Sequence, residues 1–464
     1  MKLESSFIIL SVLLVSQGSL AQENSDLDLI PKAISKKIVE STNNPEKLEN
    51  FKQKIFLEKT ATTWSNKSNL LVPVPTAQSN YQSLTSLDYL GEYRANDQWV
   101  FYLSNKLNFI YDDSVTYPSQ ANYRNDLREL YLSAEVSPNL FIGAGRVNAR
   151  KGVALGFNPT DFFKPRSAVI QSSIDPSATK ENRLGVLQFQ LEKIFENSSV
   201  SFSFAPTLQS ASPIINAPTS TFDPRFGQTN YCHRGLLTMS ADFFDLAPQL
   251  LIFSDDQGAH LGLSASHVTG TSFVFYLEWA GANSQNLTTR ALQFGQKTGS
   301  LPLGIPNLPQ TNTLSFFQND VSLGGSWTSS EKFTINLEYH YHQAGLTQDD
   351  FSNWNALGSS SSLLVSQLWY VRQYANDQQE PLTQSEFFIR LDYPDLFFNH
   401  HNLDLVSFIN SFDGSSVTQL SSQYQLSEAW TFAGYFTVFA GGPTTVYGSL
   451  PVNNSLSGKV SYYF

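Results

Sequence analysis

"GKVSYYF", Gly458–Phe464, ends the chain on an alternating apolar strand with an aromatic as the last residue. Leu456, Gly458, Val460, Tyr462 and Phe464 fall on one face, and Ser455, Ser457, Lys459, Ser461 and Tyr463 on the other. Chain ends are usually polar and loosely held unless a sheet ties them down. A strand with no successor needs a partner along its open edge. A sheet closed on itself provides one, with the last strand pairing to the first.

The other end fits a chain exported to a membrane. Met1-Lys2 precedes the apolar run "FIILSVLLV" and then "SQGSLA", with Ser19 and Ala21 at the small-residue positions of a cleavage site. That is the pattern of a secretory signal peptide over 1–21. Lys2 and Glu4 cancel, so the net charge of -11 passes unchanged to a mature form starting near Gln22.

Composition narrows the class. There are 35 Phe, 20 Tyr and 7 Trp, an excess suited to the aromatic girdles of a lipid-embedded barrel. Cys232 is the single cysteine, so no internal disulfide can form. No stretch after residue 21 reaches the roughly 20 apolar residues of a membrane helix, so any crossing is made by strands. An acidic chain lacks the basic footprint that a phosphate backbone requires, which excludes nucleic acid as a partner.

Period-2 alternation recurs from about residue 55 onward. In "KFTINLEYHYH", Phe333, Ile335, Leu337, Tyr339 and Tyr341 alternate with Thr334, Asn336, Glu338, His340 and His342. "SFVFYLEW", "WTFAGYFTV" and "WVFYLSNKLNF" behave alike, and runs of this length span a bilayer when tilted. Short turns such as "ANDQ" (95–98), "SPN" (137–139), "FDLA" (244–247) and "LSEA" (426–429) are interleaved with long connections, among them 67–80, 112–122, 148–181, 208–230, 282–311, 345–383 and 441–454. Short periplasmic turns and long outer loops are the topology of an outer-membrane barrel. The count predicts an all-β fold: a transmembrane antiparallel β-barrel of about eighteen strands, sixteen being the alternative, over 55–464. "LLVSQLWYVRQY" (363–374) breaks the parity if it spans, and is assigned to the large outer loop. A closed sheet this wide is too large for side chains to fill and leaves a water-filled lumen. Apolar faces therefore look outward to lipid, and polar faces such as Lys106, Glu338, His340 and His342 look inward.

Residues 22–54 differ from the rest. "IPKAISKKIVES" and "NPEKLENFKQKIF" are charged and helix-prone, with Pro31 and Pro45 at helix-start positions. They predict a short periplasmic helical segment or a small plug.

The loop 148–181, within "GRVNARKGVALGFNPTDFFKPRSAVIQSS", is basic in an acidic chain. Between 146 and 183 lie seven basic residues (Arg146, Arg150, Lys151, Lys164, Arg166, Lys180, Arg183) against three acidic ones (Asp161, Asp175, Glu181). It also holds Val153, Leu155, Phe157, Phe162 and Phe163, which need a surface to pack on. Two readings follow. In one, the loop is solvated outside, touching lipopolysaccharide. In the other it folds into the lumen, and Arg146, Arg150, Lys151, Asp161, Lys164 and Arg166 form a constriction that selects anions.

A strand ending in Gly-Arg, followed by the "NPTDFF" segment, resembles a pattern in Gram-negative outer-membrane porin-like families, including the alginate-export-like barrels. "EYHYHQAGL", "INSFDGSS" and the terminal strand look like the same kind of protein. The resemblance implies an outer-membrane location, a channel, and a C-terminal Phe464 read by the barrel-assembly machinery. In alginate-export-like barrels, arginines and lysines guide an acidic polymer, and Arg146, Arg150 and Arg166 occupy the comparable loop. "ARKG" departs from the aromatic-Gly pair common in better-known relatives.

No catalytic signature such as G-x-S-x-G is present, so no enzyme activity is expected. His340 and His342 share one face with Glu338 at a spacing that can hold a metal, but a polar lumen face accounts for them without one, and no metal or cofactor is assigned. The expected function is passive or facilitated passage of small or acidic solutes through a lumen narrowed by 148–181. The alternative is a structural or adhesin-type protein acting through its outer loops. The sequence leaves the oligomeric state open.

Overall fold

The computed structural model describes residues 50–464 except 76–77, 97, 115–121, 215–219, 243–245, 304–307, 309–310, 312–313 and 362–363. The signal peptide 1–21 and nearly all of the segment 22–54 lie outside the described residues, as does part of the "FDLA" turn.

Eighteen strands form one antiparallel sheet. They are β1 (Phe51–Asn66), β2 (Tyr81–Arg94), β3 (Trp99–Asp112), β4 (Tyr123–Ser137), β5 (Leu140–Val147), β6 (Val186–Ile194), β7 (Ser198–Ala205), β8 (Arg234–Ala241) and β9 (Gln249–Asp255). The second half comprises β10 (Gly258–Thr269), β11 (Phe273–Ser284), β12 (Phe316–Thr328), β13 (Thr334–His342), β14 (Ser385–Pro394), β15 (His401–Asn410), β16 (Ser416–Gln425), β17 (Trp430–Ala440) and β18 (Val452–Tyr463). Each strand pairs with its neighbours in chain order, and β18 returns to β1. The closing register sets Glu58 opposite Ser461, Lys59 opposite Val460 and Thr62 opposite Ser457. The Phe464 amide donates to the Ile55 carbonyl at 3.0 Å, so the terminal aromatic is held in the ladder. β1 starts at Phe51, inside the segment read from the sequence as helical up to residue 54, so those last residues belong to the barrel wall.

The wall is apolar outside and polar inside. Phe275, Leu337, Trp430, Phe436 and Leu456 are exposed on the outer surface, while Glu278, Ser322, Asn336, Glu338 and His340 are buried on the inner one. Val460 is half-buried on the outer side, beside Phe432 and Lys59. Lys59 also faces outward and donates to Thr85 Oγ1 at 2.9 Å. Aromatic pairs such as Phe51–Tyr93 and Tyr81–Tyr111 mark the two ends of the same strands, as interfacial girdles do.

Short and long connections alternate except at two short outer turns, one of them the hairpin 411–415 between β15 and β16. The other joins β9 to β10 through two residues, Asp256-Gln257. Among the described residues, five helices occupy the long loops: α1 (Pro176–Asn182), α2 (Phe226–Thr229), α3 (Leu287–Thr298), α4 (Gln348–Ser360) and α5 (Val365–Gln378). The apolar run "LLVSQLWYVRQY" thus becomes a loop helix, α5. Thr347 caps α4, exchanging hydrogen bonds with Asp350. Leu292, Phe351, Trp354, Leu368, Trp369 and Tyr370 form a separate apolar core, with Val72 and Val446 from two other loops packed against it. This cap explains why α5 is buried around most of its circumference: it has loops on one side and helices on the other.

Candidate functional site

The loop joining β5 to β6 turns into the barrel and lies along the inner face of β11–β14. Two wall carboxylates hold it there. Glu278, fully buried on β11, accepts the amides of Val153 and Ala154 on one oxygen. Its other oxygen accepts the Thr160 hydroxyl at 2.7 Å and the Thr160 amide at 3.2 Å. On β13, Glu338 accepts the Leu155 amide at 2.6 Å and the Gly156 amide at 2.8 Å, and Tyr276 donates to it at 2.6 Å. Ser322 on β12 donates to the Phe157 carbonyl. Consecutive amides thus converge on fixed negative charge, replacing the water a loop backbone would otherwise need.

Local residues fit this path. Gly152 has φ 79°, and a Cβ there would collide with Asn158 Oδ1 and Glu278 Oε1. At Gly156 a Cβ would meet His340 Cε1 and Phe388 Cγ at 2.6 Å. Phe162 stacks on Phe253 at 4.7 Å between ring centres, and Phe163 joins the same inner cluster with Leu236 and Leu251. The neck is closed by Arg183, which pairs with Asp161 at 2.7 Å and donates to Asn148 Oδ1 at 2.6 Å. Beyond the neck the loop crosses toward β16. There Gln419 accepts the Ile174 amide at 3.0 Å and donates to the Ser172 carbonyl at 3.1 Å.

The cations expected to line a constriction have other partners. Arg146 is buried and donates to the carbonyls of Gly185 at 2.9 Å and Pro224 at 2.6 Å. Arg166, also buried, pairs with Asp377 of α5 at 2.9 Å, donates to Ser212 and Gly227 carbonyls, and sits 4.8 Å over the Phe294 ring. Lys164 Nζ donates to the Asn158 carbonyl at 2.6 Å and lies over Phe157. Asp161 pairs with Arg183. Arg150 is exposed and Lys151 half-buried. Arg146, Lys164 and Arg166 hold loops together: an extended backbone inside a barrel presents many carbonyls, and these cations are the nearest donors. Of the inward wall residues, Lys106 meets Glu58, and His342 meets Asp320 at 2.7 Å. Glu338 and His340 pair at 2.7 Å beneath the loop. Glu278 and Gln419 were not singled out in the sequence, although each is a long polar side chain at an inward position of its strand.

The loop does not fill the lumen. Between its 170–174 segment and β1, β2, β17 and β18 a cavity of about 180 Å³ remains, bordered by Thr60, Thr62, Gln82, Gln171, Ser455 and Ser457 among others. At the outer end, the cap is braced by Arg290 and Glu380, 2.8 Å apart. Burial pushes the Glu380 carboxyl up, but Arg290 and His342 outweigh it and hold the group at about 2.

No protein-family model matches the chain, and no curated protein does. Among solved structures it is similar to Acinetobacter baumannii OccAB3, at 11% identity and a TM-score of 0.50, covering 89% of this chain and 99% of that one. It is also similar to Pseudomonas aeruginosa OccK8 (OprE), with 12% identity, TM-score 0.51 and coverage of 89% and 98%. OccK11 (OpdR) of the same organism gives 9% identity, TM-score 0.51 and coverage of 90% and 96%. At these identities the likeness is one of fold.

Proposed function

We propose that this chain forms a channel in a Gram-negative outer membrane, passing small solutes through a lumen narrowed by the inward loop 148–181. The observation that carries the proposal is the anchoring of that loop by Glu278 and Glu338 against one side of the wall, with a cavity left on the other. A loop pinned inside a barrel shapes what passes through it and contributes nothing to a surface that binds from outside, which favours a channel over an adhesin. The apolar outer wall suits lipid, and the fold is similar to that of OccK8 (OprE). Phe464, at the periplasmic end of the closing strand, is the residue the assembly machinery would meet. Arg146 donates to backbone carbonyls and Arg166 to Asp377. Reconstitution of the refolded protein in a planar bilayer tests the proposal. Discrete conductance steps, or entry of a small neutral solute into liposomes, are expected; a correctly folded, inserted protein that shows neither would refute it.

A further inference from the structure

We infer that the narrow passage selects uncharged, hydroxyl-rich solutes, of the chemistry of a small sugar or polyol, and discriminates against ions. This rests on the channel reading above and adds the solute class. The wall side of the cavity presents the hydroxyls of Thr60, Thr62, Ser455 and Ser457 and the Gln82 amide, and the loop side presents Gln171 and Ser172. Between them stand Trp64, Phe439, Ile170 and Ile174. Among the described residues that border it there is no charged side chain.

Of the ionised groups along the adjoining wall, Glu58 is ion-paired and Asp112 is held by neutral hydrogen-bond donors. On the periplasmic side Glu58 is held by Lys106 and by Lys459 at 3.4 Å. On the outer side Asp112 accepts from Ser114 at 2.6 Å and from Gln82 at 3.2 Å. Of the loop's own charges, Arg166 meets Asp377, Arg183 meets Asp161, Asp175 faces Arg390 and Lys164 donates to the Asn158 carbonyl. An ion entering so confined a place loses hydration and finds no opposite charge to replace it. A polyol exchanges its water for hydroxyl and amide partners that both donate and accept, and lays its C–H faces on aromatic and aliphatic side chains. With about 180 Å³ of space, below the few hundred typical of drug-sized sites, only small solutes fit.

The test uses the full refolded chain in liposomes and planar bilayers, with a neutral pentose, gluconate and a potassium chloride gradient as probes. Pentose entry is expected to be several-fold faster than gluconate entry, and the reversal potential should lie near that of free diffusion. Ser455→Asp should shift the reversal potential toward cations and Ser455→Lys toward anions, both variants first shown to fold by heat-modifiable migration. A wild-type channel that strongly prefers either ion, or a pair of Ser455 variants with wild-type selectivity, would overturn the inference while leaving the channel intact. Absence of both swelling and current would instead remove the channel reading itself.

Discussion

Replacing Glu278 by Ala should release the inward loop from the wall. The carboxylate accepts three backbone amides, those of Val153, Ala154 and Thr160, and the Thr160 hydroxyl, in a place without solvent exposure. Each buried donor left without a partner costs about 1–3 kcal/mol, so three amides amount to roughly 3–9 kcal/mol, the upper end reduced by water entering the gap. The barrel does not depend on these contacts, because β11 keeps its full ladder to β10 and β12. The loop should therefore detach locally while the fold persists. Glu278→Gln retains one acceptor oxygen and should fall between. Hydrogen exchange at 153, 154 and 160, measured beside single-channel conductance, reads both consequences. Protection at these amides should drop by orders of magnitude, and conductance should rise or become noisy. If Glu278→Ala leaves both unchanged in a folded barrel, the carboxylate is not what holds the loop.

Phe436, exposed on the outer wall between Leu420 and Leu456, should not tolerate Arg. The cost there is roughly 2–4 kcal/mol near mid-membrane, whereas Ser457→Arg on the inner wall should fold; equal heat-modifiable yields would contradict the inside-outside assignment. Burial pushes the Cys232 thiol up to about 12, so maleimide at pH 8 should label it in urea and not in the folded protein. For the cap, the Glu380 carboxyl is held at about 2, below its ordinary value of 4.5, so its contribution to stability is present above about pH 4.5 and is lost as pH falls toward 2. Acid titration of Trp354 and Trp369 fluorescence should show this loss in the wild type and a flatter curve in Glu380→Gln; identical curves would remove Glu380 as its cause.

The barrel was legible because each wall residue follows one local rule, alternation, and the rule repeats. Val460, Leu337 and Phe275 declare their side by parity alone, and the closing strand's need for a partner is met by β1. The loop was legible only in outline. Its apolar residues required a surface, and Phe162 finds one on Phe253. Which carboxylates receive its amides depends on the register of β11 and β13 around a closed circle, information that no short window of sequence carries. The partners of the basic residues were hidden for a related reason. Arg146 and Arg166 look like pore-lining cations when counted along the chain, yet carbonyls of residues 185, 212, 224 and 227, distant in sequence, take up their donors. α5 was hidden because its partners come from several different loops.

Solutes are expected to pass between the inward loop and the β1–β18 side of the barrel, with the β11–β14 side sealed by the loop. Thiol block of single channels tests it directly, since the native Cys232 is buried. A bulky methanethiosulfonate reagent should reduce current through a Ser455→Cys channel. It should leave a Ser322→Cys channel, whose residue lies fully buried under Phe157, unaffected. Block at 322 without block at 455 would place the passage on the opposite side of the barrel and overturn this assignment.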